Sequence, residues 1–210
     1  MRIFLIHGMG RSPASFAFLA RKLRKTGHRV SLFGYTVRNT SLDDIAERFV
    51  THVRGVLDAE PDEAPRYAIV AHSLGSVIAR MASPRLPAGF DRFAMLAPPN
   101  RAPLLARRLR DRGLFKAMTG DAGQRLADPE FIQNLPVPDT ATLILAGDAA
   151  KQITALPFDG APADGIVSVE ETRLDAVRHR VVPAWHTFIM NHPEVIRALK
   201  AGGWFLARTK

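Results

Sequence analysis

The chain has 210 residues, 47% of them hydrophobic and 23% charged, and it contains no cysteine. Disulfides, thiolate catalysis and cysteine-held metals are thereby excluded, and the length suits one α/β domain over residues 1–210. The formal net charge of +9 and a pI near 10.7 can favour an anionic membrane surface, acidic substrates or nucleic acid, or can simply solvate the surface.

The predicted elements alternate. Ile3–His7 is an apolar run that reads as a buried strand. A helix follows, with Ser12 at its cap, Pro13 in its first turn, Phe16, Leu19, Ala20 and Leu23 on its inner face, and Gly27 at its exit. Arg29–Phe33 is a second strand. Ser41 opens another amphipathic helix with Leu42, Ile45, Phe49 and Val53 inward. Tyr67–Ala71, apolar on both faces, reads as a central parallel strand. Ser73–Ala82 is a short helix stopped by Pro84. Arg92–Ala97, Thr142–Ala146 and Arg180–Val182 complete the strands, while Glu170–Val177 and Pro193–Leu206 read as helices. Strand–helix repetition of this kind predicts a mostly parallel sheet of about six strands with helices on both faces, its ligands at the carboxyl ends of the strands.

The stretch from Pro98 to Pro138 is long for a simple crossover. It mixes Leu104, Leu105, Leu109, Leu114, Phe115 and Met118 with six basic residues between Arg101 and Lys116. Two readings stay open: a helical cap-like insertion at 98–138 over an apolar pocket, and an ordinary crossover with a basic outer face.

Ala71-His72-Ser73-Leu74-Gly75 lies between a buried strand and a helix. In that context a serine sits on a sharp, strained turn that lifts its hydroxyl above the sheet. Small residues belong two places before and after it, as Ala71 and Gly75 are. The helix N-terminus also favours negative charge beside the serine.

Acyl transfer needs two backbone N–H groups aimed at the developing oxyanion. Leu74, after the nucleophile, is expected to supply one. Met9, in His7-Gly8-Met9-Gly10 after the first strand, is expected to supply the other, with Gly8 and Gly10 letting the backbone bend close. A dinucleotide loop is excluded there, because Pro13 stands where a third glycine belongs. His7 reads as a structural brace for this loop.

The base is expected just after the last strand, where His186 stands. His192 is the rival, although it precedes Pro193 and resembles a helix cap, and His72 and His179 belong to a turn and a strand edge. The acid follows the fifth strand. Asp164 and Asp148 both satisfy the chain order serine, acid, histidine, with Asp164 preferred.

Together these residues resemble the α/β-hydrolase superfamily, and specifically its small lipase/esterase-like members akin to the minimal bacterial lipases. Those lipases also carry alanine at the first position of the serine turn, as Ala71 does here. The resemblance covers nearly the whole chain. It implies an α/β-hydrolase fold and carboxylic ester hydrolysis by Ser73, His186 and Asp164 with Met9 and Leu74 as oxyanion donors. It implies neither a cofactor nor a metal. Transfer to an alcohol or thiol acceptor, thioester cleavage, and a non-catalytic binding module on the same fold are the competing expectations. The expected partner is a small-molecule or lipid ester, with weak association to an anionic membrane surface and no nucleic acid, since no basic–aromatic recognition pattern is present. The first apolar run is too short for a secretory signal core and no run approaches a membrane span, so the cytoplasm is the expected compartment.

Overall fold

Every residue of the first strand, β1 (Arg2–Ile6), is buried, as a strand covered by helices on both faces must be. It lies inside a six-stranded sheet of order β2-β1-β3-β4-β5-β6 whose neighbours all pair in parallel. The others are β2 (Arg29–Phe33), β3 (Tyr67–His72), β4 (Phe90–Leu96), β5 (Ala141–Gly147) and β6 (Arg178–Val182). These come from a computed structural model that describes residues 1–59, 66–150, 158 and 160–201.

Alternate residues along each strand feed two cores. Phe4, Ile6, Ile69, Ala71, Phe93 and Met95 face α2 (Leu42–Ala59) and α3 (Leu74–Ala82), where they meet Ile45, Phe49, Val53, Val77 and Ile78. Ile3, Leu5, Ala68, Val70 and Leu96 face the other way, onto Leu19 and Leu23 of α1 (Ala17–Arg24) and a closing helix that carries Val195 and Leu199. Helices thus cover both faces, as the strand–helix alternation predicts.

Local chemistry sets the helix ends. Ser41 Oγ accepts from the Asp44 backbone N–H at 3.1 Å and donates to the Asp44 carboxylate at 2.7 Å, closing the first turn of α2. The first helix departs slightly from expectation. Pro13–Phe16 forms a 3-10 turn before α1, and Ser12 makes no side-chain cap bond. Gly27 has φ +83° and its N–H donates to the Arg24 carbonyl at 3.0 Å, a left-handed exit that glycine takes without strain.

The crossover from β4 to β5 forms three helices: α4 (Leu104–Leu109), α5 (Gly113–Leu126) and α6 (Pro129–Gln133). Gly120 breaks α5 with φ +54° where a side chain would crowd the Val37 carbonyl. This crossover packs onto the α2 face through Ala106, Ala122, Leu126 and Ile132. Asp121 accepts from the first N–H of α2, at Leu42, at 2.8 Å, and Arg125 pairs with Asp43. The α2 N-terminus follows the carboxyl end of β2, so the crossover sits at the sheet rim where strand ends meet.

One expected helix is absent. Glu170–Val177 contains only a 3-10 turn at Glu170–Thr172. The Glu171 carboxylate accepts from the backbone N–H groups of Ser168 (2.8 Å) and Leu104 (2.6 Å), and Ala176 takes φ +59°, which a helix cannot contain. The closing helix, α7, spans Pro193–Ala201; residues 202–206 of the expected helix lie outside the described residues. Among the described residues, no helix is long and apolar enough to cross a membrane.

Candidate active site

Ser73 occupies the turn between β3 and α3 with φ 51° and ψ −123°, a conformation that costs a non-glycine residue about 1–3 kcal/mol. The turn is held on both sides. Ser73 N–H continues the β4 ladder by donating to the Leu96 carbonyl at 2.9 Å, and the Ser73 carbonyl accepts from Ser76 N–H at 2.8 Å. Gly75 explains why the position tolerates no side chain. A Cβ there would lie 2.6 Å from the Ile6 carbonyl oxygen and 2.7 Å from that of His7. The start of α3 is pressed against the end of β1.

The loop after β1 closes onto the same turn. A Cβ at Gly8 would stand 2.8 Å from His72 Nδ1 and 3.1 Å from Ser73 Cβ, and Gly10 takes φ +68°. Met9 lies between these glycines and packs partly buried against the core, and Leu74 opens α3. His7 braces this loop. Its Nδ1–H donates to the Gly8 carbonyl at 2.9 Å, its Nε2 accepts from Tyr35 N–H at 3.3 Å, and its ring stacks on Tyr35 at 4.3 Å. Burial holds the His7 imidazole below its usual pKa, consistent with that neutral tautomer.

His186 stands in a 3-10 turn shortly after β6. Its Nε2 lies 3.0 Å from Ser73 Oγ and its Nδ1 lies 2.7 Å from Asp164 Oδ2. Asp164 is 1% exposed. Its other oxygen accepts from the backbone N–H groups of Ile166 (3.0 Å) and Val167 (2.8 Å), and its carbonyl accepts from His186 N–H at 3.0 Å. The loop therefore fixes the carboxylate before the carboxylate fixes the imidazole. A hydroxyl facing an imidazole whose far side is held by a buried carboxylate is the arrangement that activates a serine.

The remaining candidates stand elsewhere. Asp148 is half-buried at the end of β5, where its N–H donates to the Val182 carbonyl at 3.1 Å, and the carboxylate on the His186 ring is that of Asp164. His192 Nδ1 accepts from Glu194 N–H at 3.3 Å, capping α7. His179 Nε2 meets Thr172 Oγ1 at 2.8 Å. Among the described residues, no group of three or more histidine, aspartate and glutamate side chains could hold a metal ion.

Two contributions were not anticipated from sequence. Gly147 lets the loops that carry Asp164 and His186 converge, because a Cβ there would lie 2.7 Å from Asp164 Cβ and collide with the Ala184 carbonyl. His72 is 2% exposed, and its Nε2 lies 3.0 Å from the His186 carbonyl. Its place beside Ser73 was visible, but its burial against His186 arises only from the tertiary fold.

The sequence pattern described as the alpha/beta hydrolase family matches residues 3–206. Solved structures share the fold. The lipase BlEst2 of Bacillus licheniformis, in mature form, superposes with a TM-score of 0.73 at 18% identity, covering 90% of this chain and 85% of that one. Phospholipase PlaB of Legionella pneumophila gives 0.69 at 16% identity over 98% of this chain, which spans only 58% of PlaB. The hydrolase olei00960 of Oleispira antarctica gives 0.61 at 16% identity, covering 98% and 91%. At these identities the likeness is one of fold. No curated protein matches the chain by sequence.

Proposed function

The chain belongs to the alpha/beta hydrolase family, and on that premise we propose that it is a serine hydrolase that cleaves carboxylic esters through an acyl-enzyme on Ser73. The observation that carries this reading is the continuous contact from Ser73 Oγ through the His186 ring to Asp164, at 3.0 and 2.7 Å. The lipase, phospholipase and hydrolase among the structural neighbours support the ester class.

In the proposed reaction, Ser73 Oγ attacks the ester carbonyl while His186 Nε2 takes its proton. Asp164 keeps Nδ1 protonated and stabilises the imidazolium that forms. The backbone N–H groups of Met9 and Leu74 donate to the oxyanion. His186 then gives its proton to the departing alcohol oxygen. A water, deprotonated by the same nitrogen, releases the acid and restores Ser73.

The substrate reaches the site across an apolar rim. Trp185 and Phe188 flank His186 and are 46% and 63% exposed, and Ile166 follows Asp164 at 42%. Helix α5 exposes Leu114 and Met118 beside Arg107, Arg108, Arg110, Arg112 and Lys116. Exposed apolar side chains in a stretch with more arginines than acids, where Asp111 pairs with Lys116, suit weak docking on an anionic lipid surface. In this reading residues 98–138 form a cap within one domain. Co-sedimentation with anionic but not zwitterionic vesicles is expected, and equal binding to both contradicts the charge argument.

The direct test is an ester panel of graded acyl length. Wild-type protein should turn over at least one member, and Ser73→Ala should lower that turnover by about 10⁴-fold or more, the scale of nucleophile knockouts. Near-normal turnover in Ser73→Ala would mean that another residue does the chemistry.

A further inference from the structure

We infer that His72 is a positioning residue: its ring N–H ties the main chain of His186 to the residue preceding Ser73, and so sets the spacing between nucleophile and base. This rests on the ester hydrolase reading but asks a separate question, namely what holds the base in place.

The geometry is specific. A carbonyl oxygen only accepts, so at 3.0 Å from the His186 carbonyl His72 Nε2 carries the proton. The two imidazole centroids are 4.9 Å apart. Nδ1 is then the unprotonated nitrogen. It is fully buried with no hydrogen-bond partner among the described residues, and the Gly8 backbone closes over it. One ring therefore contacts three segments: its own serine turn, the loop after β1 and the loop that carries His186.

The bond completes the fixing of His186. Its N–H donates to the Asp164 carbonyl, its Nδ1–H donates to the Asp164 carboxylate, and its carbonyl accepts from His72. Only Nε2 is left for Ser73. Asp164 orients the ring from the acid's side, whereas His72 sets the main chain from the serine's side. Both halves of the Ser73–His186 contact thus descend from adjacent residues, 72 and 73.

The surroundings of the ring keep it neutral, although a charged ring would donate the same bond. Burial acts first, and the charges of His186, Arg11 and His7 add to it; together they outweigh the bond to the His186 carbonyl, which favours the charged ring, so His72 stays well below the usual histidine range. A neutral neighbour does not oppose the imidazolium that forms on His186 during attack.

Glutamine and methionine separate these roles. Both place their terminal atom four bonds from Cα, as imidazole Nε2 is, but only the glutamine nitrogen donates. With thermal melts as a folding control, His72→Gln should keep kcat within about threefold of wild type. His72→Met should lose about 10–100-fold in kcat at nearly unchanged KM, the scale of a sub-ångström to 1 Å misplacement. Equal kcat in the two variants, or a loss confined to KM, overturns the inference. Should neither variant fold, ¹⁵N-histidine spectra of the wild type decide. At pH 7 to 8 one imidazole should be a neutral Nε2–H tautomer, and a His72 ring that carries its proton on Nδ1 there refutes the tie. Failure of the wild type to react with a fluorophosphonate counts instead against the hydrolase reading, and leaves the tautomer measurement standing.

Discussion

Gly75→Ala tests whether the serine turn is held by close packing of α3 against β1. The added methyl would stand 2.6 and 2.7 Å from two backbone carbonyl oxygens and 2.9 Å from Ile6 Cγ2. Ordinary contact begins near 3.4–3.5 Å, so α3 must retreat by about 0.8 Å or β1 must yield. Overpacking of this kind costs about 1–3 kcal/mol. The gain in helix propensity is at most about 1 kcal/mol, and it is smaller still so near the start of the helix. The clash wins, and with rigid backbone as its target the net loss should be about 1–2 kcal/mol. For a chain of this size that lowers Tm by about 2–8 °C. The shift also carries Ser73 from His186, and a displacement of this order should slow acylation at least about tenfold. Calorimetry and fluorophosphonate labelling rates read the two effects. Gly55→Ala is the control, because that glycine sits inside α2 with nothing within 4 Å of its Cβ position. It should raise Tm slightly. A Gly75→Ala protein that melts and labels like wild type would refute the packing argument.

Three further outcomes are expected. Asp164→Asn should lower turnover by about 10⁴-fold, because an amide N–H facing His186 Nδ1 forces the wrong tautomer, while Asp148→Asn should stay near wild type; the reverse ranking in kcat would reassign the acid. Folded His72 and His7 ionise below 6.5, so the unfolded chain binds more protons at acid pH. Stability is complete above that value and is lost as pH falls through the folded pKa values. Tm should thus be level from pH 8 to 7 and fall toward pH 5, less steeply in His72→Gln, and a Tm that rises on acidification contradicts this. Arg80→Met should cost about 3 kcal/mol or more, since it strips donors from the buried acceptors Asn100 Oδ1 and Leu135 O and from the part-buried Pro136 O. A Tm within 2 °C of wild type would show that those acceptors find other partners.

The inner strands were readable because parallel, doubly covered strands appear as unbroken apolar runs, whereas the edge strand β2 carries Arg29 and Ser31 and is largely half-buried. Tyr67–Ala71 and Arg29–Phe33 match the observed β3 and β2 to within a residue. The serine turn was readable for the same reason, since its meaning depends on standing between such a run and a helix. Where tertiary bonds override local preference, the sequence misleads. Glu170–Val177 has helical composition, yet Glu171 spends its carboxylate on Ser168 and Leu104. The break at Gly120 answers to Val37, more than eighty residues earlier. Asp164 and Asp148 both follow β5, and chain order alone could not separate them. The distinction lies in which loop Gly147 admits against His186.

Reaction of folded protein with a fluorophosphonate, followed by peptide mapping, addresses the assignment of Ser73 most directly. A single adduct on the peptide that contains Ser73, absent in Ser73→Ala, is the result expected from a hydroxyl 3.0 Å from an imidazole backed by a buried carboxylate. An adduct on another residue, or no adduct on protein shown to be folded, would contradict it.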